Sequence, residues 1–164
     1  MTLDNRPFRT GGCQCGAVRF RIHGALGRAS VCHCRMCQKA FGAFYAPLVN
    51  LGSAELVWTR REPKRFRSSN QVQRGFCPDC GTPLTYEAPD GTALAIGAFD
   101  DPTALAPEIQ FGTENKLPYV DGVPGLPVRT TEQDADAAYL SDIVSLQHPD
   151  CEMPGDRPGD AHQA

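Results

Sequence analysis

The spacing of its cysteines constrains this chain more than any other feature. Seven of the eight cysteines fall into three short clusters. The clusters are Cys13-Gln14-Cys15, Cys32-His33-Cys34-Arg35-Met36-Cys37 and Cys77-Pro78-Asp79-Cys80. No apolar run approaches the roughly 18 residues of a membrane span, and the first residues show no apolar signal segment. We therefore expect a cytoplasmic protein without membrane contact, in which clustered thiols serve metal binding or catalysis rather than disulfides.

Two of the clusters can form one closed metal site. The Cys77–Cys80 turn continues into Gly81, and a Cys-x-x-Cys-Gly turn directs two sulfurs at one point. Cys13 and Cys15 are two residues apart, so at a strand end they project to the same side. These four thiolates would fill the tetrahedron of a zinc ion, which makes a structural site.

The remaining cluster then supplies three sulfurs from Cys32, Cys34 and Cys37. A zinc ion with three protein ligands keeps its fourth position for a substrate, which is typical of a catalytic site. This division predicts two zinc ions per chain. A rival allocation joins Cys34 and Cys37 to the Cys77–Cys80 pair and leaves Cys13, Cys15 and Cys32 over. Spacing alone does not exclude the rival.

The hydrophobic pattern predicts a mainly β, antiparallel domain. In residues 17–22, Val18, Phe20 and Ile22 share one face, and Arg19 and Arg21 share the other, as in a half-buried strand. The predicted strands cover residues 17–22, 29–33, 43–50, 55–58, 64–68, 71–76, 84–87, 93–98 and 108–112, with a single helical turn at 35–41. Pro47 favours an edge strand or a bulge for residues 43–50. Residues 89–91, Pro-Asp-Gly, predict a hairpin.

Charge divides the chain into a core and a tail. Residues 1–129 contain 15 Lys and Arg against 11 Asp and Glu, whereas residues 130–164 contain 1 against 8. We expect an arm at 1–10, a zinc-binding β domain at 11–129 and an acidic tail at 130–164. Within the tail, residues 131–147 have near-helical apolar spacing and are predicted to form a helix. Residues 150–164 are expected to be disordered, with Cys151 a free surface thiol.

Three motifs together resemble a known family. They are C-x-C-G-x-V-x-F from Cys13, C-H-C-x-x-C from Cys32 with a glycine five residues on, and F-C-x-x-C-G-x-x-L from Phe76. In this order the chain resembles the glutathione-dependent formaldehyde-activating (GFA) family, which includes proteins similar to centromere protein V. The resemblance covers about residues 11–128, with departures at Gln38-Lys39, Phe41 and Tyr119.

The resemblance implies a small zinc-stabilised β-tent fold, and it implies a role for each cysteine. Cys13, Cys15, Cys77 and Cys80 match the ligands of a structural zinc in the family. Cys32, Cys34 and Cys37 match the ligands of its catalytic zinc. The implied activity is that of a carbon–sulfur lyase or synthase that joins glutathione and formaldehyde into S-hydroxymethylglutathione.

The residue chemistry agrees with thiol addition. Zinc with three thiolates carries one net negative charge, so it is a poor activator of water but can still hold a substrate thiol in its reactive form. His33 is a candidate donor to the aldehyde oxygen, although its position between two ligands favours a solvated or structural histidine. Candidate partners for the glutathione carboxylates are Arg35, Lys39, Asn115 and Lys116, but an ordinary polar surface position is the simpler interpretation for each of them.

Two other functions remain open at this point. A zinc-stabilised module without turnover could bind a protein or a nucleic acid through the basic run at 60–67 together with Arg74. Nucleic acid is not expected, because the chain carries a net charge of −3 and a solvated strand face explains the run. The clustered thiols could also form a redox sensor. The sequence does not determine the oligomeric state.

Overall fold

The fold is built from ten short strands and one short helix. The computed structural model describes residues 7–133 and 138–156 of the chain. The strands are β1 (Phe8–Gly12), β2 (Arg19–His23), β3 (Ala29–Cys32), β4 (Ala46–Asn50), β5 (Glu55–Trp58), β6 (Lys64–Arg67), β7 (Gln73–Phe76), β8 (Pro83–Ala88), β9 (Gly91–Ala95) and β10 (Ile109–Phe111), and the helix is α1 (Arg35–Phe41). Short 3-10 turns occupy Ile96–Ala98, Thr113–Asn115, Val120–Gly125, Thr131–Gln133 and Ala138–Asp142.

The strands form two sheets. The smaller has the order β1-β2-β5, and the larger has the order β10-β3-β4-β9-β8-β7-β6. The mainly β prediction is confirmed. The antiparallel prediction needs one correction, because β10 runs parallel to β3, with Ile109 opposite Ser30. Strand β9 also runs in the same direction as β3, because β4 is antiparallel to both β3 and β9. Two strands of one direction need a long crossover connection, and the segment between β9 and β10 provides it.

The core confirms the predicted apolar face of β2. Val18, Phe20 and Ile22 are buried, and the Phe20 ring packs edge-on against Trp58 of β5 and Phe99. Burial of such side chains, at roughly 25 cal/mol per Å², is the main favourable contribution to the fold. The same buried cluster contains Val49, Leu84 and Leu94 of the larger sheet, so the core joins the two sheets.

The opposite face of β2 is less exposed than the sequence predicts. Arg19 is buried, and its guanidinium contacts both carboxylate oxygens of Asp100, at 2.8 and 2.6 Å. The C-terminal segment covers this face, since the Arg19 guanidinium also donates to the carbonyl of Cys151. The covering segment is remote in sequence, so strand alternation could not reveal it.

Two local predictions along the chain need correction. Residues 8–10 are not an arm but belong to β1, which pairs with β2 from Phe8 opposite His23; residues 1–6 lie outside the described residues. Pro47 does not mark an edge, because β4 lies between β3 and β9. Pairing with β9 begins only at Leu48, so the missing N–H of Pro47 breaks no hydrogen bond to β9. The predicted hairpin is confirmed, with Ala88 opposite Gly91.

The tail differs from its prediction. Two 3-10 turns replace the expected continuous helix over 131–147, residues 143–147 are not helical, and residues 134–137 lie outside the described residues. Ile143 and Leu146 are exposed, Leu146 by 89 %. A short helix whose apolar face has no packing partner is marginal in water.

The expected disorder after residue 150 is also wrong for residues 150–156. Asp156 is only 1 % exposed, and its carboxylate contacts Arg60 at 2.6 Å and His148 at 3.3 Å. The backbone N–H of His148 donates to the carbonyl of Gln14 at 2.7 Å. The segment therefore folds back on the N-terminal cysteine turn; residues 157–164 lie outside the described part of the chain.

Candidate active site

Two tight turns bring four cysteines together. In the first, the N–H of Gly16 donates to the carbonyl of Cys13 at 3.0 Å. In the second, the N–H of Gly81 donates to the carbonyl of Cys77 at 2.9 Å. Gly16 and Gly81 have φ values of +77° and +80°, a region that favours glycine. Each turn therefore aims its two sulfurs at one point. The sequence predicts the turn at Cys77–Cys80, whereas for Cys13 and Cys15 it predicts a strand end, and the structure has a turn after β1 instead.

The resulting four-cysteine group has the dimensions of a tetrahedral metal site. The sulfurs of Cys13, Cys15, Cys77 and Cys80 lie within 4.8 Å of one another. Cys13 and Cys15 are 3.5 Å apart, and Cys15 and Cys77 are 3.8 Å apart. A zinc ion with bonds of about 2.3 Å to sulfur needs sulfurs about 3.8 Å apart. The donor set and its spacing therefore fit a closed zinc site.

The three-cysteine group is formed where β3 runs into α1. Cys32 ends β3, Cys34 is the N-cap of α1, and Cys37 lies in its first turn. The N–H of Cys37 donates to the sulfur of Cys34 at 3.4 Å. The three sulfurs lie within 4.8 Å of one another and could hold one metal ion. Within the described residues, the rival pairing of Cys34 and Cys37 with the Cys77–Cys80 turn does not occur, because the two groups are separate.

The three-cysteine group opens on the main cavity of the described structure. The cavity has a volume of about 640 Å³, and its lining includes Cys32, Cys34 and Cys37. Apolar walls come from Leu48, Val72 and Phe111, and charged side chains come from Arg28, Arg74 and Asp90. The four-cysteine group is absent from this lining. The three-cysteine group is therefore accessible to a small molecule from this cavity, and the four-cysteine group is not.

Arg74 is the site residue that sequence reasoning missed. It lies on β7, is 3 % exposed, and donates from Nη2 to the sulfur of Cys37 at 3.2 Å. Its Nε donates to the hydroxyl of Ser68 at 2.9 Å, and its guanidinium lies 5.0 Å from the centre of the Tyr86 ring. The sequence groups Arg74 with a surface basic run, and no local pattern distinguishes it. Arg74 reaches the cysteines only once the larger sheet, in which β8 and β9 separate β7 from β4, has formed.

The thiol pKa values within the three-cysteine group are strongly split. A hydrogen bond from Cys32 lowers the pKa of Cys37 to about 5, and Arg74 also favours the thiolate, while burial opposes both. The pKa of Cys32 is raised well above its usual range, most strongly by the same contact and next by burial. The contact therefore favours the thiolate, which is the form that binds metal, at Cys37 rather than at Cys32.

His33 lies away from the cavity. It alternates with Cys32 at the end of β3, is 1 % exposed, and contacts Gln110 on β10 at 2.9 Å. Its ring also packs edge-on against Tyr45. The expectation that His33 donates to a substrate has no geometric support, because strand alternation turns its side chain to the opposite face from Cys32.

The four predicted carboxylate-binding residues do not converge. Arg35 and Lys39 line a shallow depression that shares Met36 and Ser68 with the main cavity. Lys116 is paired with Asp121 and lies in a different depression. The exposed side chain of Asn115 contacts Glu114, and its backbone carbonyl accepts from the buried Gln38 at 3.0 Å. Gln38 also contacts the His33 carbonyl, so it fixes the cysteine loop.

Much of the basic run is neutralised. Arg60 pairs with Asp156, Arg61 with Asp79, and Arg65 with Glu62 and Glu87. Since Arg74 is buried as well, the run offers few uncompensated charges to a nucleic acid. Cys151 is exposed and unbridged, as predicted. Among the described residues, no helix has the length and apolar character needed to cross a bilayer.

The chain is similar to known proteins at the level of a family model and of solved structures. A crystal structure of a Rhodobacter sphaeroides protein is similar with a TM-score of 0.46 and 19 % identity, over 62 % of this chain and 98 % of that one. No curated protein matches. A family model described as glutathione-dependent formaldehyde-activating enzyme matches residues 8–115, which is more than half of the chain and includes both cysteine groups. The chain therefore belongs to the glutathione-dependent formaldehyde-activating enzyme family.

Proposed function

We propose that the chain catalyses the reversible addition of a thiol to a small aldehyde, with glutathione and formaldehyde as the family's name suggests. In the forward direction a carbon–sulfur bond forms, the carbonyl π bond breaks, and the thiol proton ends on the oxygen of S-hydroxymethylglutathione. One observation carries the proposal: three cysteine sulfurs that fit a single metal ion line the main cavity.

We propose zinc as the metal of both groups. The four-cysteine group is assigned a structural zinc, and Cys32, Cys34 and Cys37 are assigned a catalytic one. When bound by three thiolates, zinc supplies an open ligand position at which the pKa of a thiol falls. The chain's own residues then bind the rest of the substrate and exclude water through the apolar walls of the cavity.

Arg28 and Asp90 are the candidates for holding the charged end of the thiol. Both line the cavity, both are exposed, and neither has an ion-pair partner among the described residues. Arg28 precedes Cys32 by four residues along β3, which is about 13 Å of extended chain. The γ-glutamyl end of glutathione carries a carboxylate and an ammonium group, which match an arginine and an aspartate. Arg35 and Lys39 are close enough to the cavity rim to serve a second carboxylate.

The direct test is a screen of thiol–aldehyde adducts by NMR exchange. Wild-type protein should accelerate exchange between free glutathione and its formaldehyde adduct, and chelation of the metal should abolish the effect. The variant Cys34→Ser should also lose the effect while it keeps its fold, and the exposed Cys151→Ser variant is the matched control. If no adduct exchanges faster with the protein than without it, the catalytic proposal is wrong and a binding module is favoured.

A further inference from the structure

Arg74 is a buried cation held against the three-cysteine group. Its guanidinium has three fixed neighbours: the sulfur of Cys37, the hydroxyl of Ser68 and the ring of Tyr86. Among the described residues, no other cation donates a hydrogen bond to a sulfur of this group. An arginine buried in this way is costly unless its charge is compensated, and no carboxylate of the described residues pairs with it. The compensating charge is therefore that of the thiolates.

The charge of the site explains why such a cation is useful. A divalent ion with three thiolates carries one net negative charge, and a substrate thiol in its anionic form adds a second. Repulsion between like charges is strong next to apolar walls, where water screens little. With Arg74 counted, the site is neutral before the thiol enters and carries a single negative charge afterwards.

We propose that Arg74 is the counter-ion of the three-cysteine site, a positioning residue that enables the site to accept a thiol in its anionic form. The inference rests on the proposed function. It assigns Arg74 no contact with the substrate: the guanidinium acts through the sulfur of Cys37 and through its charge.

The geometry predicts that arginine matters beyond its charge. The planar guanidinium donates from Nε and Nη2 in two fixed directions while it stacks near Tyr86, whereas a lysine ammonium is a compact charge on a flexible chain. The variant Arg74→Lys should therefore retain part of the effect. The variant Arg74→Met, which has a similar length and no charge, should lose it.

The experiment measures metal content and thiol affinity for wild type, Arg74→Met and Arg74→Lys. Arg65→Met is the matched control, since Arg65 is exposed on the neighbouring strand β6. Glutathione is titrated calorimetrically into zinc-loaded protein in the absence of aldehyde. Removing a partner of a metal ligand typically weakens affinity 10- to 100-fold. We expect a loss of that size in Arg74→Met, a smaller loss in Arg74→Lys and none in Arg65→Met.

The outcomes separate this inference from the proposed function. Wild-type thiol affinity in Arg74→Met, or an equal loss in Arg74→Lys and Arg74→Met, would overturn a counter-ion role. If wild type itself binds no thiol, the proposed function fails. Competition with a chelator then still tests Arg74. Because Arg74→Met removes the counter-ion, the zinc of the three-cysteine group should be easier to remove from this variant than from wild type or Arg65→Met. Equal removal from all three proteins would contradict the inference.

Discussion

The imidazole of His33 donates from Nε2 to the side-chain oxygen of Gln110 at 2.9 Å, and this contact ties the end of β3 to β10. The backbone N–H of His33 adds a second bond to the carbonyl of Phe111 at 2.8 Å. The two bonds hold the strand end from which Cys32 reaches the cavity. His33 therefore acts on the cysteine group by fixing the backbone.

Replacing His33 with alanine should lower stability more than thiol chemistry. The His33 ring is buried and packs against Tyr45, so its removal leaves a cavity and breaks the hydrogen bond to Gln110, which together cost on the order of 2–3 kcal/mol; the exposed amide of Gln110 can bond to water instead. Urea unfolding of His33→Ala, Gln110→Leu and the double variant measures the coupling. Adduct exchange is then measured on His33→Ala that is folded and has both metal sites filled. A loss of exchange under these conditions would restore a catalytic role for the imidazole.

The two cysteine groups should respond differently to loss of their ligands. A variant with serine at Cys32, Cys34 and Cys37 should remain folded and bind one zinc equivalent instead of two. Cys77→Ser should unfold the domain, because the buried Cys77 links the middle of the chain to the N-terminal turn through the structural metal. Metal analysis and circular dichroism check both results, with Cys151→Ser as control. Two equivalents in the triple-serine variant would refute the allocation.

The C-terminal segment should contribute to stability through Asp156. Its carboxylate is buried between Arg60 and His148, with Arg19 at 3.5 Å. Neutralising Asp156 leaves Arg60 without its carboxylate partner, whereas Arg19 keeps Asp100. Loss of one partner from a fully buried ion pair costs about 3–5 kcal/mol, and the partial exposure of Arg60 places the expected loss below that range. Asp156→Asn should therefore unfold at clearly lower urea concentration, whereas the exposed Asp150→Asn should not. Equal midpoints for the two variants would show that the segment adds nothing.

The Arg19–Asp100 pair predicts a loss of stability in acid. Burial alone would raise the pKa of Asp100, but the hydrogen bonds from Arg19 and Thr10 and the charges of Arg19 and His148 hold it below its ordinary value. A carboxyl group with a lowered folded pKa stabilises the protein above its unfolded pKa, near 4, and this stability is lost as pH falls toward the folded pKa. Urea midpoints are measured from pH 6 down to pH 3. Asp100→Asn should be less stable than wild type at pH 6, and its midpoint should fall less as the pH is lowered. Parallel curves would contradict a stabilising Asp100 carboxylate.

Arg28 should discriminate between thiols. If it holds a carboxylate of the substrate, Arg28→Ala should weaken the binding of glutathione about 10-fold, in the range of one charged hydrogen bond, and leave the binding of 2-mercaptoethanol unchanged. Calorimetric titration of both thiols into wild type and Arg28→Ala measures the difference. An equal change for the two thiols would place the charged end of the substrate elsewhere.

Short-range patterns account for the elements that the sequence identified correctly. The alternation of Val18, Phe20 and Ile22 predicts a strand with one buried face, and Pro89-Asp90-Gly91 predicts the turn between β8 and β9. Glycines after Cys15 and Cys80 mark the two cysteine turns because few other residues adopt their backbone conformation. In each case the determining interaction lies within a few residues.

The sequence by itself determined the β class, and its cysteine spacing left two divisions of the seven cysteines open, of which the family resemblance favoured four and three. Only the tertiary structure decided that Arg74 lies against Cys37, that His33 turns away from the cavity, and that Asp156 closes over Arg19. These three facts depend on strand pairing and on contacts between residues 37, 77 and 137 positions apart, respectively. Burial and charge compensation at such separations have no local signature, because they exist only once the sheets have formed and the tail has folded back.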